Sequence, residues 1–327
     1  MQQMTPSDIS PTAASQAADA FELFRHSYER ARRVNALVPE LDAEHEARLR
    51  RRVERAFQHG GMSATRGGRL RGFMVASPAF DFRGLVATLV PEYGHAVAPG
   101  EEAALYPLLY AAVAERLAQA GAQLHLIGHL AADAGVREAL YGLGFGAIVC
   151  ERLRDLSDLQ VGARAAVPTG RVEHASQEHS WDEFATLAAE HAAYYRASPL
   201  FLHKDDTLEA AREDLEEHRQ AGDQLFVYRD GATPLAYLIV GRCSGASEGR
   251  LLEGTATAQI RSAYAVPEAR RSGIGTVLLQ HAVAWAREGG FERLFVEHET
   301  ANLHGGPFWR QHFEAFALFS LRYVEAP

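Results

Sequence analysis

Apolar residues in the second half of the chain recur at helical spacing over 274–288, where Ile274, Val277, Leu278, Ala282 and Trp285 share one face and Gly289 closes the segment. The run before it, 256–266, reads as a strand. Punctuation and period predict further strands at 171–175, 224–229, 234–243, 293–299 and 315–323, and helices at 180–197, 207–221 and 306–312. Strands interleaved with helices in this order predict a mixed α/β sheet.

The first half carries the same pattern. At an offset of 168 residues Pro99 falls on Pro267, Gly121 on Gly289 and Phe145 on Phe313. Between these marks, Leu105, Leu108, Leu109, Ala112, Val113 and Leu117 form a helical face, and 124–130 reads as a strand opposite 291–296. The chain therefore reads as a duplication, with domains at 1–155 and 171–327 and a linker at 156–170 that carries mixed charge, Gly162 and Pro168.

Chemistry concentrates where the two halves differ. Arg270, Arg271, Ser272, Gly273, Ile274, Gly275 and Thr276 join a strand end to a helix start. Glycines admit close approach of a ligand, first-turn N–H groups lack intrahelical partners, and the helix dipole favours negative charge there. The segment lacks the Gly-Lys-Ser/Thr ending of a P-loop and the third glycine of the dinucleotide fingerprint. In the first half Glu102, Leu105 and Pro107 stand opposite Arg270, Gly273 and Gly275. Glu101 and Glu102 suit a helix start but repel phosphate. One cofactor site per chain is expected, in the second half, with the first kept as packing surface, substrate wall or homodimer surface.

Arg270-x-x-Gly273-x-Gly275 after Val266-Pro267 resembles the acetyl-CoA signature of the GNAT superfamily of N-acetyltransferases. The resemblance covers 171–326 directly and 1–155 through the repeat. It implies two tandem GNAT-like folds, the first degenerate, with acetyl-CoA as acyl donor and a primary amine as acceptor. Asn302, Phe308, Trp309 and Phe313 resemble the family's Asn and Phe-Tyr helix, but Trp309 replaces the tyrosine that protonates the leaving thiolate, and an indole N–H is no practical acid. Tyr141 holds the equivalent place in the first half. The resemblance also implies that Tyr264, Ala265 and Val266 hold the thioester, with Asn302 and Trp309 beside the cofactor.

A direct transfer needs a base for the attacking amine and N–H donors for the carbonyl oxygen. Glu299 and Glu297 share one face of the expected fifth strand, and Glu299 is the nearer to its end. Tyr264 is the alternative proton source. Tyr195, with Ser198 and Phe201 in the loop between the first two helices of the repeat, is a candidate for acceptor binding, as are its neighbours Tyr194 and Arg196. A non-catalytic acyl-CoA sensor or scaffold is the competing reading, favoured by Trp309.

Composition narrows the field. A formal charge of -9 over 327 residues disfavours non-specific nucleic-acid binding and, with Glu297 and Glu299, favours a small cationic amine as acceptor. The two cysteines, Cys150 and Cys243, have no pairing motif, and His298, His304 and His312 lack the spacing of a zinc site, so no metal is expected. Gly245-Ala246-Ser247-Glu248-Gly249 matches the letters of a hydrolase elbow without the strand and helix that an elbow needs. With neither a signal-like start nor a span of about 20 apolar residues, the chain is expected in the cytoplasm, away from membranes.

Overall fold

A computed structural model describes residues 5, 8–157 and 170–325. In chain order the elements are β1 (Ile9–Pro11), α1 (Ala17–Val34), α2 (Ala43–Gln58), β2 (Gly61–Arg66), β3 (Arg69–Val75), β4 (Phe80–Phe82), β5 (Leu85–Val90), β6 (His95–Val97), α3 (Glu102–Gln119), β7 (Leu124–Leu130), α4 (Ala134–Gly142) and β8 (Gly146–Asp155). There follow β9 (Arg171–His174), α5 (Ala185–Tyr194), α6 (Leu208–Gln220), β10 (Gln224–Asp230), β11 (Thr233–Arg242), β12 (Thr257–Ala265), α7 (Ile274–Glu288), β13 (Arg293–Glu299), α8 (Gly305–His312) and β14 (Glu314–Tyr323). The mixed α/β class expected from the sequence is present. At the offset of the repeat, β14 falls on β8 end to end.

The chain divides into two compact units, Met1–Glu151 with Ala315–Pro327, and Arg152–Glu314. This differs from the division at 155 and 171 expected from the sequence. Most of the expected linker, 158–169, lies outside the described residues. Arg152, Arg154 and Leu156 belong to the second unit, where the Arg152 guanidinium donates to the Phe313 carbonyl (3.2 Å), Arg154 to that of His312 (3.0 Å), and Leu156 joins the core. Conversely, Ala317–Tyr323 of β14 pair antiparallel with Leu124–Leu130 of β7, and β14 thus completes a sheet of the first unit. Hydrophobic period alone could not show this, because a strand's pattern fixes its faces but not its neighbour.

In the second unit β9, β10, β11 and β12 pair antiparallel in that order, and β12 pairs parallel with β13. Alternation along β10 sorts its side chains between two layers. Phe226 and Tyr228 pack with α7 and α8, whereas Leu225 and Val227 pack with α5 and α6. Helix α7 buries Ile274, Leu278, Leu279, Ala282, Val283 and Ala286, so its inner face is rotated from the expected stripe and leaves Val277 and Trp285 half-buried. In the first unit α3 and α4 cover a core containing Met74, Leu105, Leu109, Ile127 and Phe145.

Candidate active site

The two parallel strands of the second unit part company midway. Pairing of β12 with β13 runs from Thr257–Arg293 to Ile260–Val296 and stops there, although both strands continue. At the same point the β11 register shifts, with Ile239 opposite Ser262 and Val240 opposite Ile260, so Arg261 is a bulge residue. A bulge bends its strand and adds twist, which carries the end of β12 away from β13. The Val266 N–H donates to the Leu235 carbonyl at 3.0 Å. Alternation along the antiparallel ladder then turns the N–H groups of Ala263 and Ala265 toward the gap.

The gap belongs to a cavity of about 760 Å³ lined from α5, β11, β12, β13, α8 and the loop before α7. Among the residues expected at the site, Tyr195, Tyr264, Ala265, Arg270, Arg271, Ser272, Gly273, Gly275, Thr276, Glu297, Glu299, Asn302 and Trp309 line it. Ser198 and Phe201 do not. Both are exposed, Phe201 at 73%, while Leu200 turns inward and Lys204 reaches the cavity instead. Val266 is also outside the lining, its N–H being occupied on β11, and the Ile274 side chain is buried in the core.

The loop before α7 has the form its sequence requires. Gly273 has φ 90°, a left-handed conformation that a side chain would strain, and Arg271 shares it at φ 61°. These two residues keep the chain out of the helix until Ile274. The first helical bonds are those of the Thr276 and Val277 N–H groups to the Gly273 carbonyl, at 3.0 and 3.1 Å. The N–H groups of Ile274 and Gly275 precede them and are open to an anion at the helix start. Arg271 and Ser272 are exposed there. Arg270 has a different place from that expected. Its Nε donates to the Ala265 carbonyl at 3.0 Å, and its guanidinium lies 5.0 and 5.6 Å from the ring centroids of Tyr194 and Tyr264. It braces the end of β12.

Aromatic and acidic groups fill the other end. Burial, together with the neighbouring negative charge of Glu299, raises the pKa of the Tyr195 hydroxyl. His191 Nδ1 lies 2.8 Å from the Tyr237 hydroxyl and 3.3 Å from that of Ser262, while its ring stacks on Tyr264 at 5.1 Å. Desolvation among these rings, aided by Lys204 and Arg270, lowers the His191 pKa to about 3. Tyr264 and Tyr194 are raised, chiefly by desolvation, and both remain protonated donors at neutral pH. Asn302 is less available than expected. Its Oδ1 accepts from the Tyr194 hydroxyl (2.9 Å) and from the His304 and Gly305 N–H groups (3.2 and 2.7 Å) at the start of α8. Trp309 is 7% exposed and packs edge-on against Phe308 and Phe313.

His298 is buried, with one ring nitrogen 2.9 Å from Arg152 Nε and the other 2.9 Å from the Glu299 carbonyl. Among the described residues no group of three His, Cys, Asp or Glu side chains is arranged to hold a metal, and no helix is long and apolar enough to cross a membrane. The Gly245–Gly249 loop enters a short 3-10 turn, Arg250–Leu252, rather than a helix. His191, Tyr237, Ser262 and Lys204 are cavity residues that sequence reasoning missed. The first three carry no motif, and folding brings them together from α5, β11 and β12.

Residues 184–313 match the model of the acetyltransferase (GNAT) family. No curated protein sequence matches the chain. Among solved structures, a GCN5-related N-acetyltransferase from Sphaerobacter thermophilus is 14% identical, with 98% of this chain and 97% of that one covered and a TM-score of 0.56. The glucosamine N-acetyltransferase region of a fungal multi-domain GH3 β-N-acetylglucosaminidase is also 14% identical, with 96% of this chain and 38% of that one covered and a TM-score of 0.53. At these identities the likeness is one of fold. The family match lies within the second unit and spans the parted strands, the loop and α7, so it is this unit that is similar to the GNAT family of acetyltransferases.

Proposed function

We propose that the second unit transfers an acetyl group from acetyl-CoA to the primary amine of a small molecule. The observation that carries the reading is the gap between β12 and β13, which opens beside the helix start at Gly273. Open N–H groups at Ile274 and Gly275, with exposed Arg271, fit a pyrophosphate, and the gap fits the narrower arm that leads to a thioester. Bound acetyl-CoA supplies the activated acetyl group. The residues of the chain do the rest: the N–H groups of Ala263 and Ala265 hold the carbonyl oxygen, and Glu299 takes a proton from the amine. Tyr264 or Tyr194 gives one to the departing thiolate, in place of the acid that Trp309 cannot be. Half-buried Glu297 and Glu299 favour a cationic amine at the mouth.

Buried Trp309 equally suits a protein that binds acyl-CoA without turnover. Thermal shift and thiol release separate the cases. Acetyl-CoA is expected to raise the melting temperature of the wild type, and Gly273→Leu and Arg271→Glu to abolish that shift while keeping the circular dichroism spectrum. Absence of any shift in the wild type at saturating acetyl-CoA would end both readings. A shift without CoA release from a panel of amines would leave the sensor.

A further inference from the structure

Lys204 is the only lysine in the chain; every other residue counted with it among the basic side chains is arginine. It lines the cavity from the loop between α5 and α6, and the loop is built to hold it there. The Arg196 guanidinium donates to the Lys204 carbonyl at 3.2 Å and pairs with Asp206 at 2.5 Å, while the Leu202 N–H donates to the Tyr195 carbonyl at 2.8 Å. The Lys204 ammonium lies 3.8 Å from the centroid of the Tyr195 ring, whose electron-rich face attracts a cation.

Neighbouring carboxylates are engaged elsewhere. Asp206 is held by Arg196, and Asp205 accepts from the Thr207 N–H at 3.0 Å. The other cations of the cavity are occupied or lie at the phosphate end: Arg261 pairs with Asp223 at 3.6 Å, Arg270 braces Ala265, and Arg271 stands in the loop before α7. Among the described residues no carboxylate lies within salt-bridge distance of Lys204 Nζ. The acceptor end of the cavity thus presents one cation without an anion.

Tyr195 links that cation to the base. Its ring face carries Lys204, and it lines the same cavity as Glu299. We propose that the acceptor is a zwitterion, an amino acid or a small relative that keeps a free carboxylate, with Lys204 holding the carboxylate and Glu299 receiving the amine. This rests on the acetyl-transfer reading and narrows its substrate class. The site would draw the ammonium form of the amine to Glu299, and loss of one proton there frees the lone pair that attacks.

The test compares amino acids with the amines that differ from them only by loss of the carboxylate, measured by CoA thiol release. For the wild type the amino acid of a pair is expected to show the higher kcat/KM, by roughly tenfold at low salt and less at high salt. Lys204→Met should remove most of that preference through KM, Lys204→Arg should retain part of it, and the thermal shift with acetyl-CoA should survive both changes. Equal use of both members of each pair, or preference for the decarboxylated amine, overturns the proposal and leaves acetyl transfer standing. Loss of the acetyl-CoA shift in Lys204→Met also overturns it, by showing that Lys204 holds the cofactor. No transfer to any amine defeats the acetyl-transfer reading and this proposal with it.

Discussion

A buried imidazole reports its protonation state through the partners it keeps. His95 lies 2.7 Å from the Tyr106 hydroxyl at Nδ1 and 2.7 Å from the Gly128 carbonyl at Nε2, so Nε2 donates and Nδ1 accepts, as only the neutral ring can. Burial lowers its pKa to about 4, and that of His129 likewise to about 4. Both folded values lie below the ordinary histidine value near 6.5, so the unfolded chain binds protons first. The stability these two rings contribute is complete above about pH 6.5 and is lost as pH falls toward 4, by roughly 3 kcal/mol for each ring. Urea midpoints measured between pH 7 and pH 4.5 should fall steeply below pH 6.5; a flat profile would mean that these rings are not held neutral. At this scale the sequence made the form of the loop before α7 legible, because the left-handed turn at Gly273 is a local requirement of backbone geometry. It hid His191, Tyr237 and Ser262, which touch only after three elements meet.

At the scale of elements, the difference between the two repeats is a difference in where a helix begins. Helix α7 starts at Ile274, after left-handed Arg271 and Gly273, but α3 starts at Glu102, the position equivalent to Arg270. The Ala104 and Leu105 N–H groups already bond the Glu101 carbonyl, at 3.1 and 2.9 Å. The loop of the first repeat has become a helical turn, and its carboxylates face arginines, Glu101 pairing with Arg71 at 2.5 Å. At the positions equivalent to Ile274 and Gly275 stand Tyr106 and Pro107, already inside α3, while carboxylates occupy its first turn, and calorimetry should find one equivalent of CoA per chain, with affinity unchanged by Glu102→Ala. Two equivalents would refute this account. Sequence patterns located these helices well because a helix start is written in adjacent residues. The bulge at Arg261 was not legible, since it depends on the register that β11 imposes.

For the whole molecule, the unexpected feature is the membership of β14. Its Ala317, Phe316 and Phe319 are buried, and it pairs with β7 over seven residues, Leu124–Leu130. A chain ending at Glu314 would leave that edge of β7 unpaired and strip cover from the first unit. Limited proteolysis of such a truncation should cleave within 1–151 sooner than in the full chain; an unchanged pattern would show that β14 is dispensable there. The 168-residue repeat revealed the duplication, yet it could not reveal which copy of the last strand each sheet would take, because β8 and β14 present similar apolar faces. The consequence reaches back to synthesis. As the chain leaves the ribosome, the first unit emerges whole in sequence except for its closing strand, and it must wait, with one sheet edge open, until the entire second unit has been made.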